Sequence, residues 1–248
     1  MNNPFSLVNK TILITGGSSG IGRSIAIACS QLGAKVIITG RNRERLQQTI
    51  SMLSGSEHLF IAADLTSEKD MIDLINSLPL LDGFVSNAGI AQPLLLQFIE
   101  KIDVDTILNI NAISVIHLTR LLLQDKKIKK GASIVFISSI NGNQCAYIGS
   151  TLYAASKSML TGFMKATALE IAPKGIRVNS VQPGMIETDL LNSTFVSKEE
   201  LEKDREKYPL KRYGKPEEVA YATVYLLSDA SQWITGTSLV IDGGYTVQ

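Results

Sequence analysis

Two cysteines and two histidines among 248 residues leave little with which to build a disulfide framework or a metal site. Cys29 falls in a helical pattern and Cys145 in a loop, without metal-ligand spacing, and His58 and His117 lie far apart with no ligand-spaced partners. Such scarcity of cysteine suits a reducing compartment. An excess of one charge is also missing: 24 basic and 23 acidic residues leave a formal net charge of +1, which gives no electrostatic argument for nucleic acid or an anionic membrane surface. Residues 1–10 lack the basic-then-apolar form of a signal peptide, and no later apolar run reads as long enough to span a bilayer. The expectation is a cytoplasmic protein with no metal and with neither a nucleic-acid nor a membrane partner. Asn9-Lys10-Thr11 and Asn192-Ser193-Thr194 match a glycosylation acceptor, which has no meaning without secretion.

What is present is apolar residue, 45% of the chain against 19% charged, enough for a sizeable core and too much for disorder. Its pattern alternates. Residues 11–14 form a short strand, Gly16, Gly20 and Gly22 break it, and Ile25, Ala28, Cys29 and Leu32 follow at helical spacing that Gly33 ends. Strand patterns recur at 34–39, 59–62, 83–86, 132–137, 175–181 and 238–241. Helical patterns lie at 43–53, at 67–78 behind the capping Ser67, at about 103–127, at about 151–172, and from Pro216, whose first turn carries Glu217 and Glu218. Seven strands alternating with helices predict an α/β fold: a doubly wound, seven-stranded parallel sheet with helices on both faces and ligands beyond the carboxyl ends of its strands. No linker, repeat or composition shift divides residues 1–248, so they read as a single domain. The stretch 190–207, charged over its second half 197–207, suits either a lid or a plain surface helix, and 126–130 reads as a solvated helix terminus.

The three glycines have the layout of a phosphate-binding turn. Gly16 permits the tight turn, Gly20 a close approach to a pyrophosphate, and Gly22 close helix–strand packing, while free N–H groups at the helix start attract the anion. A ligand-free β-to-α turn has the same layout. Tyr153 and Lys157 stand four apart at a helix start and share a face. A cation beside a phenol favours phenolate and lowers a pKa that is ordinarily about 10, which would tune the pair as a proton donor. Alone, the pair reads rather as a helix-surface contact. Ser138 and Ser139 change that weighing, because they end an apolar strand at the sheet edge that holds the glycine turn, where a hydroxyl is placed to hold a carbonyl or alcohol oxygen beside Tyr153. Asn111 is placed to hold a water linked to Lys157.

Together these stretches resemble the compact single-domain branch of the short-chain dehydrogenase/reductase family, a Rossmann-type fold, and within it the 3-oxoacyl-[acyl-carrier-protein] reductases and related sugar and alcohol dehydrogenases. The matching motifs run almost end to end: Thr15-Gly-Gly-Ser-Ser-Gly-Ile-Gly22, Asp64-Leu-Thr66, Ser86-Asn-Ala-Gly89, Asn109-Ile-Asn111, Ile137-Ser-Ser139, Tyr153-Ala-Ala-Ser-Lys157, Arg177-Val-Asn-Ser-Val-Gln-Pro-Gly184, and Thr235-Gly236 with Asp242-Gly-Gly244. The resemblance implies Tyr153 as general acid, Lys157 lowering its pKa and binding the nicotinamide ribose, Ser139 positioning the carbonyl oxygen and Asn111 holding a proton-relay water. It implies a dinucleotide on Gly16, Ser18, Ser19, Gly20, Ile21 and Gly22, with Asp64 and Leu65 at the adenine. Asn87, Ala88 and Gly89 would lie near a ribose, and Pro183, Gly184, Ile186 and Thr188 at the nicotinamide end. It also implies a homotetramer formed through the two long helices and the C-terminal segment. Three departures qualify this: Ser139 and Tyr153 stand fourteen apart, one more than usual among the most similar reductases; Ser138 is an alternative to Ser139, which Gly142 three residues later favours; and Ser86 replaces the first asparagine of Asn-Asn-Ala-Gly.

Many NAD-binding members end the second strand with an aspartate for the ribose 2′-hydroxyl. Thr39-Gly40-Arg41-Asn42-Arg43 stands here instead, and the planar Arg41 suits a 2′-phosphate. The expected cofactor is NADP(H), with Arg41 the principal contact and Asn42 and Arg43 nearby. The expected reaction passes a hydride between NADP(H) and a small-molecule or thioester carbonyl, 3-oxoacyl thioesters being one reading and sugars or secondary alcohols another. A non-catalytic NADP(H) sensor has no use for Asn111, Ser139, Tyr153 and Lys157 together, and an epimerase or dehydratase spaces its glycines differently. Ile90, Ala91, Gln92, Pro93, Asn141, Gln144, Cys145, Tyr147, Met185 and residues after Leu190 are expected to line the substrate pocket. An acyl-carrier protein would need a basic surface at its entrance, for which 126–130 and Arg120 are the candidates.

Overall fold

The computed structural model describes residues 3–188 and 198–248. Within them the aliphatic and β-branched runs form seven strands: β1 (Thr11–Thr15), β2 (Lys35–Gly40), β3 (Leu59–Ala62), β4 (Leu81–Ser86), β5 (Ile128–Ile137), β6 (Arg177–Pro183) and β7 (Ser238–Ile241). All pair in parallel, in the order β3-β2-β1-β4-β5-β6-β7. The winding reverses between β1 and β4, and a crevice at such a reversal is where open α/β sheets bind ligands. The helices are α1 (Gly20–Gln31), α2 (Arg43–Ile50), α3 (Glu68–Ser77), α4 (Lys101–Leu108), α5 (Ser114–Gln124), α6 (Thr151–Ile171), α7 (Lys198–Arg205) and α8 (Pro216–Leu227).

Because successive strand residues face opposite sides, the sheet has two cores. On one face Leu13, Ile37, Phe84, Ile134 and Val178 pack with Leu74 of α3, Leu118 of α5 and Met164 of α6. On the other, Ile12, Ile38, Val85, Val135 and Val181 pack with Ile25 and Cys29 of α1 and Val219 of α8. Local signals set the helix ends: the Ser67 side chain accepts the Asp70 N–H, Gly33 turns the chain out of α1 at φ +91°, and Pro216 opens α8. His58 and Cys29 have structural places; His58 Nδ1 accepts the Val36 N–H, and burial pushes the Cys29 thiol up to about 12.

Two expectations need correction. The helix expected at 103–127 is α4 and α5 joined by a π-helical turn, Asn109–Ile113. The whole stretch Lys101–Gln124 is long and apolar enough to cross a membrane by length and composition, with a mean hydropathy of 1.4 over its most apolar window, contrary to the reading that no run has such length. Here Ile107 is buried and the stripe of Ala112, Val115, Leu118 and Leu122 packs against the sheet, which is why a core helix meets the same criterion. The second correction concerns 126–130. The helix stops at Gln124 and β5 starts at Ile128, four residues before the expected strand. The register slips between Leu81/Ile128 and Gly83/Ser133, around Gly131 at φ +76°. A single apolar residue among lysines is too short a signal to reveal a strand that its pairing partner supplies.

Candidate active site

Between β1 and α1 the chain turns at Gly16, whose φ is +67° and whose added Cβ would stand 2.8 Å from Asn87 Nδ2. At Gly22 a Cβ would lie 2.2 Å from the Gly16 carbonyl oxygen, so α1 can start this close only with glycine there. Gly17, not singled out by spacing, is equally constrained, its Cβ falling 2.6 Å from Ile38 Cβ. A clamp holds the turn. Thr15 Oγ1 accepts the N–H groups of Asn87 (3.0 Å) and Ala88 (3.1 Å), Asn87 Nδ2 donates to the carbonyls of Thr15 and Gly16, and Arg23 Nη2 donates to the Ser18 carbonyl at 2.6 Å. The side-chain amide of Asn87 thus braces the turn. Ser19 sits at the N-cap of α1 without a side-chain capping bond, and no acid occupies the first turn. By contrast α3 has both the Ser67 cap and Glu68 and Asp70. The leading N–H groups of α1 and its positive dipole end are therefore open, the arrangement that fits a pyrophosphate.

Tyr153 and Lys157 lie one turn apart on α6, facing the end of β5. Lys157 is only 4% exposed; its Nζ donates to the Ile137 carbonyl at 2.9 Å and lies 5.7 Å from the centroid of the Tyr153 ring. The two serines diverge. Ser138 Oγ donates to the Lys157 carbonyl (2.9 Å), whereas the Ser139 hydroxyl hydrogen-bonds the Tyr153 phenol and accepts the Asn141 N–H (3.1 Å). Burial pushes Lys157 down to about 8. Burial also pushes Tyr153 above its ordinary value, with the Ser139 bond acting the other way. The expected lowering of the phenol by Lys157 is not what this geometry produces: dehydration outweighs a cation that is itself engaged by a carbonyl. Asn111, buried in the π turn, has its side chain taken up by Ile90, accepting the N–H and donating to the carbonyl at 2.8 Å each, and by Ser156 Oγ at 3.1 Å. At Gly89 a Cβ would lie 3.2 Å from Asn111 Oδ1 and 3.4 Å from Lys157 Nζ, so the smallest residue lets the loop pass beside both groups.

A family model described as Enoyl-(Acyl carrier protein) reductase matches residues 16–246. The chain belongs to the short-chain dehydrogenase/reductase family. It is similar to the 3-oxoacyl-[acyl-carrier-protein] reductase FabG of Rickettsia prowazekii, 37% identical over 238 residues that cover 96% of this chain and 97% of that one. It is also similar to carbonyl reductase family member 4 of Xenopus laevis, 36% identical over 241 residues, 96% and 98% of the two chains. Among solved structures, a putative gluconate dehydrogenase from Agrobacterium tumefaciens superposes with a TM-score of 0.93 at 28% identity, covering 100% of both. As a short-chain dehydrogenase/reductase, the protein is an oxidoreductase whose family works with a nicotinamide cofactor.

The remaining candidates of this short-chain dehydrogenase/reductase surround the same edge. Arg41 is exposed just beyond β2, while the Asn42 side chain caps α2 by accepting the Arg45 N–H (2.9 Å) and the Arg43 guanidinium lies 5.2 Å from the Phe60 ring centroid. All three are exposed, Asn42 and Arg43 with these local partners. Asp64 accepts the backbone N–H and hydroxyl of Thr66, which hold its carboxyl below the ordinary range, with the Arg41 charge adding to the effect. Leu65 is partly buried against the core. Beyond β6, the Pro183 carbonyl accepts the Ile140 N–H, Gly184 approaches Asp242, Ile186 is buried, and Thr188 comes within 3.4 Å of a Cβ at Gly20. The segment 183–188 thus runs from the end of β6 back to the glycine turn.

On the substrate side, the loop carrying Ile90, Ala91, Gln92 and Pro93 meets the loop carrying Asn141, Gln144, Cys145 and Tyr147 through the Leu94 N–H and Gly149 carbonyl (2.8 Å). Met185 is 39% exposed at the end of β6. Of the residues after Leu190, those at 191–197, with Asn192 and Thr194, lie outside the described residues, as does the first part of the expected lid. Helix α7 is tied down by the Tyr213 hydroxyl, which donates to the Leu201 carbonyl and Asp204. The basic residues at 126–130 do not flank this entrance. They sit at the amino edge of the sheet, where Lys129 pairs with Asp82 and Lys127 Nζ donates to the Leu78 carbonyl. Arg23, Ser156 and Tyr208 went unread in the sequence, since nothing about their spacing announces partners that only the fold brings near. Among the described residues no group of three His, Cys, Asp or Glu side chains is placed to hold a metal.

Proposed function

We propose that this protein is an NADP(H)-dependent carbonyl reductase, or in reverse an alcohol dehydrogenase, in which Tyr153 protonates the carbonyl oxygen. The observation that carries the reading is the Ser139–Tyr153 hydrogen bond set over the buried Lys157 ammonium. Tyr153 stays protonated through neutral pH and so serves as an acid. Ser139 orients the phenol and offers its hydroxyl to the substrate oxygen, while Lys157, where charged, stabilises the phenolate left after proton transfer. The cofactor supplies the hydride. Gly16, Ser18, Ser19, Gly20, Ile21 and Gly22 would hold its pyrophosphate, Asp64 and Leu65 its adenine, Asn87 to Gly89 a ribose, and Pro183, Gly184, Ile186 and Thr188 the nicotinamide end. Asn111 acts by fixing the loop at Ile90 beside Lys157, where a relay water would sit.

The choice of NADP(H) rests on Arg41, exposed at the end of β2 with no acid in its place. Steady-state oxidation of NADPH and NADH against one ketone tests it. NADPH is favoured about ten- to a hundredfold, the range of a charge-assisted hydrogen bond, and Arg41→Ala removes the preference. Equal use of the two cofactors by the unaltered enzyme overturns the assignment. Likeness to FabG proteins supports a thioester substrate, and likeness to a gluconate dehydrogenase supports a small alcohol. The low cysteine content supports a cytoplasmic location. Exposed Ile102, Leu169 and Trp233 support assembly with further copies, a homotetramer whose mass light scattering reads directly; a monomer mass removes it.

A further inference from the structure

Three tyrosines from three separate segments meet on the substrate side of the site. Tyr147, in the loop between Ser139 and Tyr153, has its ring centroid 6.0 Å from that of Tyr245, and Tyr245 lies 4.8 Å from Tyr208. The rings are tilted by 47° and 38°, and both centroid separations fall in the range of aromatic pairs. A chain of polar groups pins the wall. Cys145 Sγ donates to the Tyr147 hydroxyl at 3.5 Å, the Tyr147 and Tyr208 hydroxyls bond each other, and Tyr208 accepts the Met185 N–H at 3.3 Å. Met185 lies two residues beyond Pro183, whose carbonyl accepts the N–H of Ile140, the neighbour of Ser139. The wall therefore spans the ends of β5 and β6, beside the reacting hydroxyls.

Its charge is balanced locally. Arg205 pairs with Glu187, Lys207 with Asp204, Lys211 with Glu206 and Arg212 with Glu218. Each cation between 205 and 212 thus has its own acid, and recognition of a phosphate or carboxylate calls for one that does not. The phenols of Tyr147 and Tyr208 are likewise engaged, which leaves a ring face as what Tyr147, 38% exposed, presents. Aromatic walls with few polar groups recognise neutral, flat ligands.

We infer that Tyr147, backed by Tyr208 and Tyr245, makes this enzyme selective for a neutral ring-bearing ketone or the corresponding alcohol, its ring against Tyr147 and its oxygen at Ser139 and Tyr153. The inference rests on the carbonyl-reductase reading. A linear acyl thioester offers no flat face, and its phosphorylated carrier arm meets only paired cations in this segment.

The test compares 2-tetralone, 2-octanone and acetoacetyl-coenzyme A as substrates of the purified full chain with NADPH. The expected kcat/KM for 2-tetralone exceeds the other two by about tenfold or more, the scale of ring-on-ring contact plus pocket fit. Tyr147→Leu brings the three within about threefold, chiefly through KM for 2-tetralone, and Tyr147→Phe, which restores the ring, restores the preference. Acetoacetyl-coenzyme A turned over as well as 2-tetralone overturns the inference and leaves the carbonyl-reductase reading intact. So does a Tyr147→Leu variant that lowers all three equally. No oxidation of NADPH or NADH with any of the three overturns both.

Discussion

At the amino edge of the sheet Lys10 lies 2.5 Å from Asp229, Lys129 lies 2.8 Å from Asp82, and the Arg177 guanidinium spreads over Ser231 Oγ and the carbonyls of Ser228 and Ile234. Lys10, Lys130 and Arg177 line a cavity of about 350 Å³ together with Asp82 and Asp229, so both signs of charge meet there. At the carboxyl edge Lys157 is more deeply buried than any of these charged side chains, and among the described residues its acceptor is the Ile137 carbonyl. The paired charges are partly exposed and meet their counter-ions, whereas a buried charge kept without a counter-ion costs stability and marks a candidate site of chemistry. On the proposed mechanism, one sheet separates holding from reacting by its two ends.

The largest expected effect breaks the reacting end. Tyr153→Phe keeps the ring and removes the acid, so kcat falls by about 10²- to 10⁴-fold while fluorescence titration shows the cofactor still binding. Turnover close to that of the unaltered enzyme would end the mechanism.

Lys157→Met tests the cost. With a folded-state pKa of about 8 against 10.5, the unfolded chain holds this proton more tightly than the native one. Stability is therefore lower below pH 8 and recovers as the pH rises from about 8 to 10.5. Replacing the ammonium by an apolar chain of similar volume should abolish activity yet stabilise the protein at neutral pH by up to about 3 kcal/mol, an advantage that fades towards pH 10.5. Urea melts at pH 7 and pH 10 read the difference, and a less stable variant at pH 7 contradicts it. In the unaltered enzyme, carbonyl reduction should weaken as the pH rises through about 8 and Lys157 loses its charge.

The smallest effect belongs to the holding end. Arg177→Met removes the hydrogen bonds to Ser231 Oγ and to the Ser228 and Ile234 carbonyls, which keep Ser231 and Asn179 as donors, and this costs about 1–3 kcal/mol in urea melts and leaves kcat unchanged. A change in kcat as large as the change in stability would erase the distinction between the two edges.

What the residues determined by themselves was everything with a local period or spacing. The alternation of strands and helices, the glycine turn, the Ser67 and Gly33 boundaries and the shared face of Tyr153 and Lys157 all follow from interactions within a few positions along the chain. What only the tertiary structure decided is who meets whom across it. Ile128 became strand because Leu81 pairs with it, 126–130 fell at the edge away from the site, and Asn87 turned out to brace the turn through Thr15. The proton affinities of Tyr153 and Lys157 belong to the same class, because burial set both and the motif they share carries no measure of burial. So does the wall of Tyr147, Tyr208 and Tyr245, whose members lie up to 98 positions apart. Hydrogen bonding and propensity act over a turn or two and can be read from order alone, whereas dehydration and long-range pairing exist only once the chain has closed on itself.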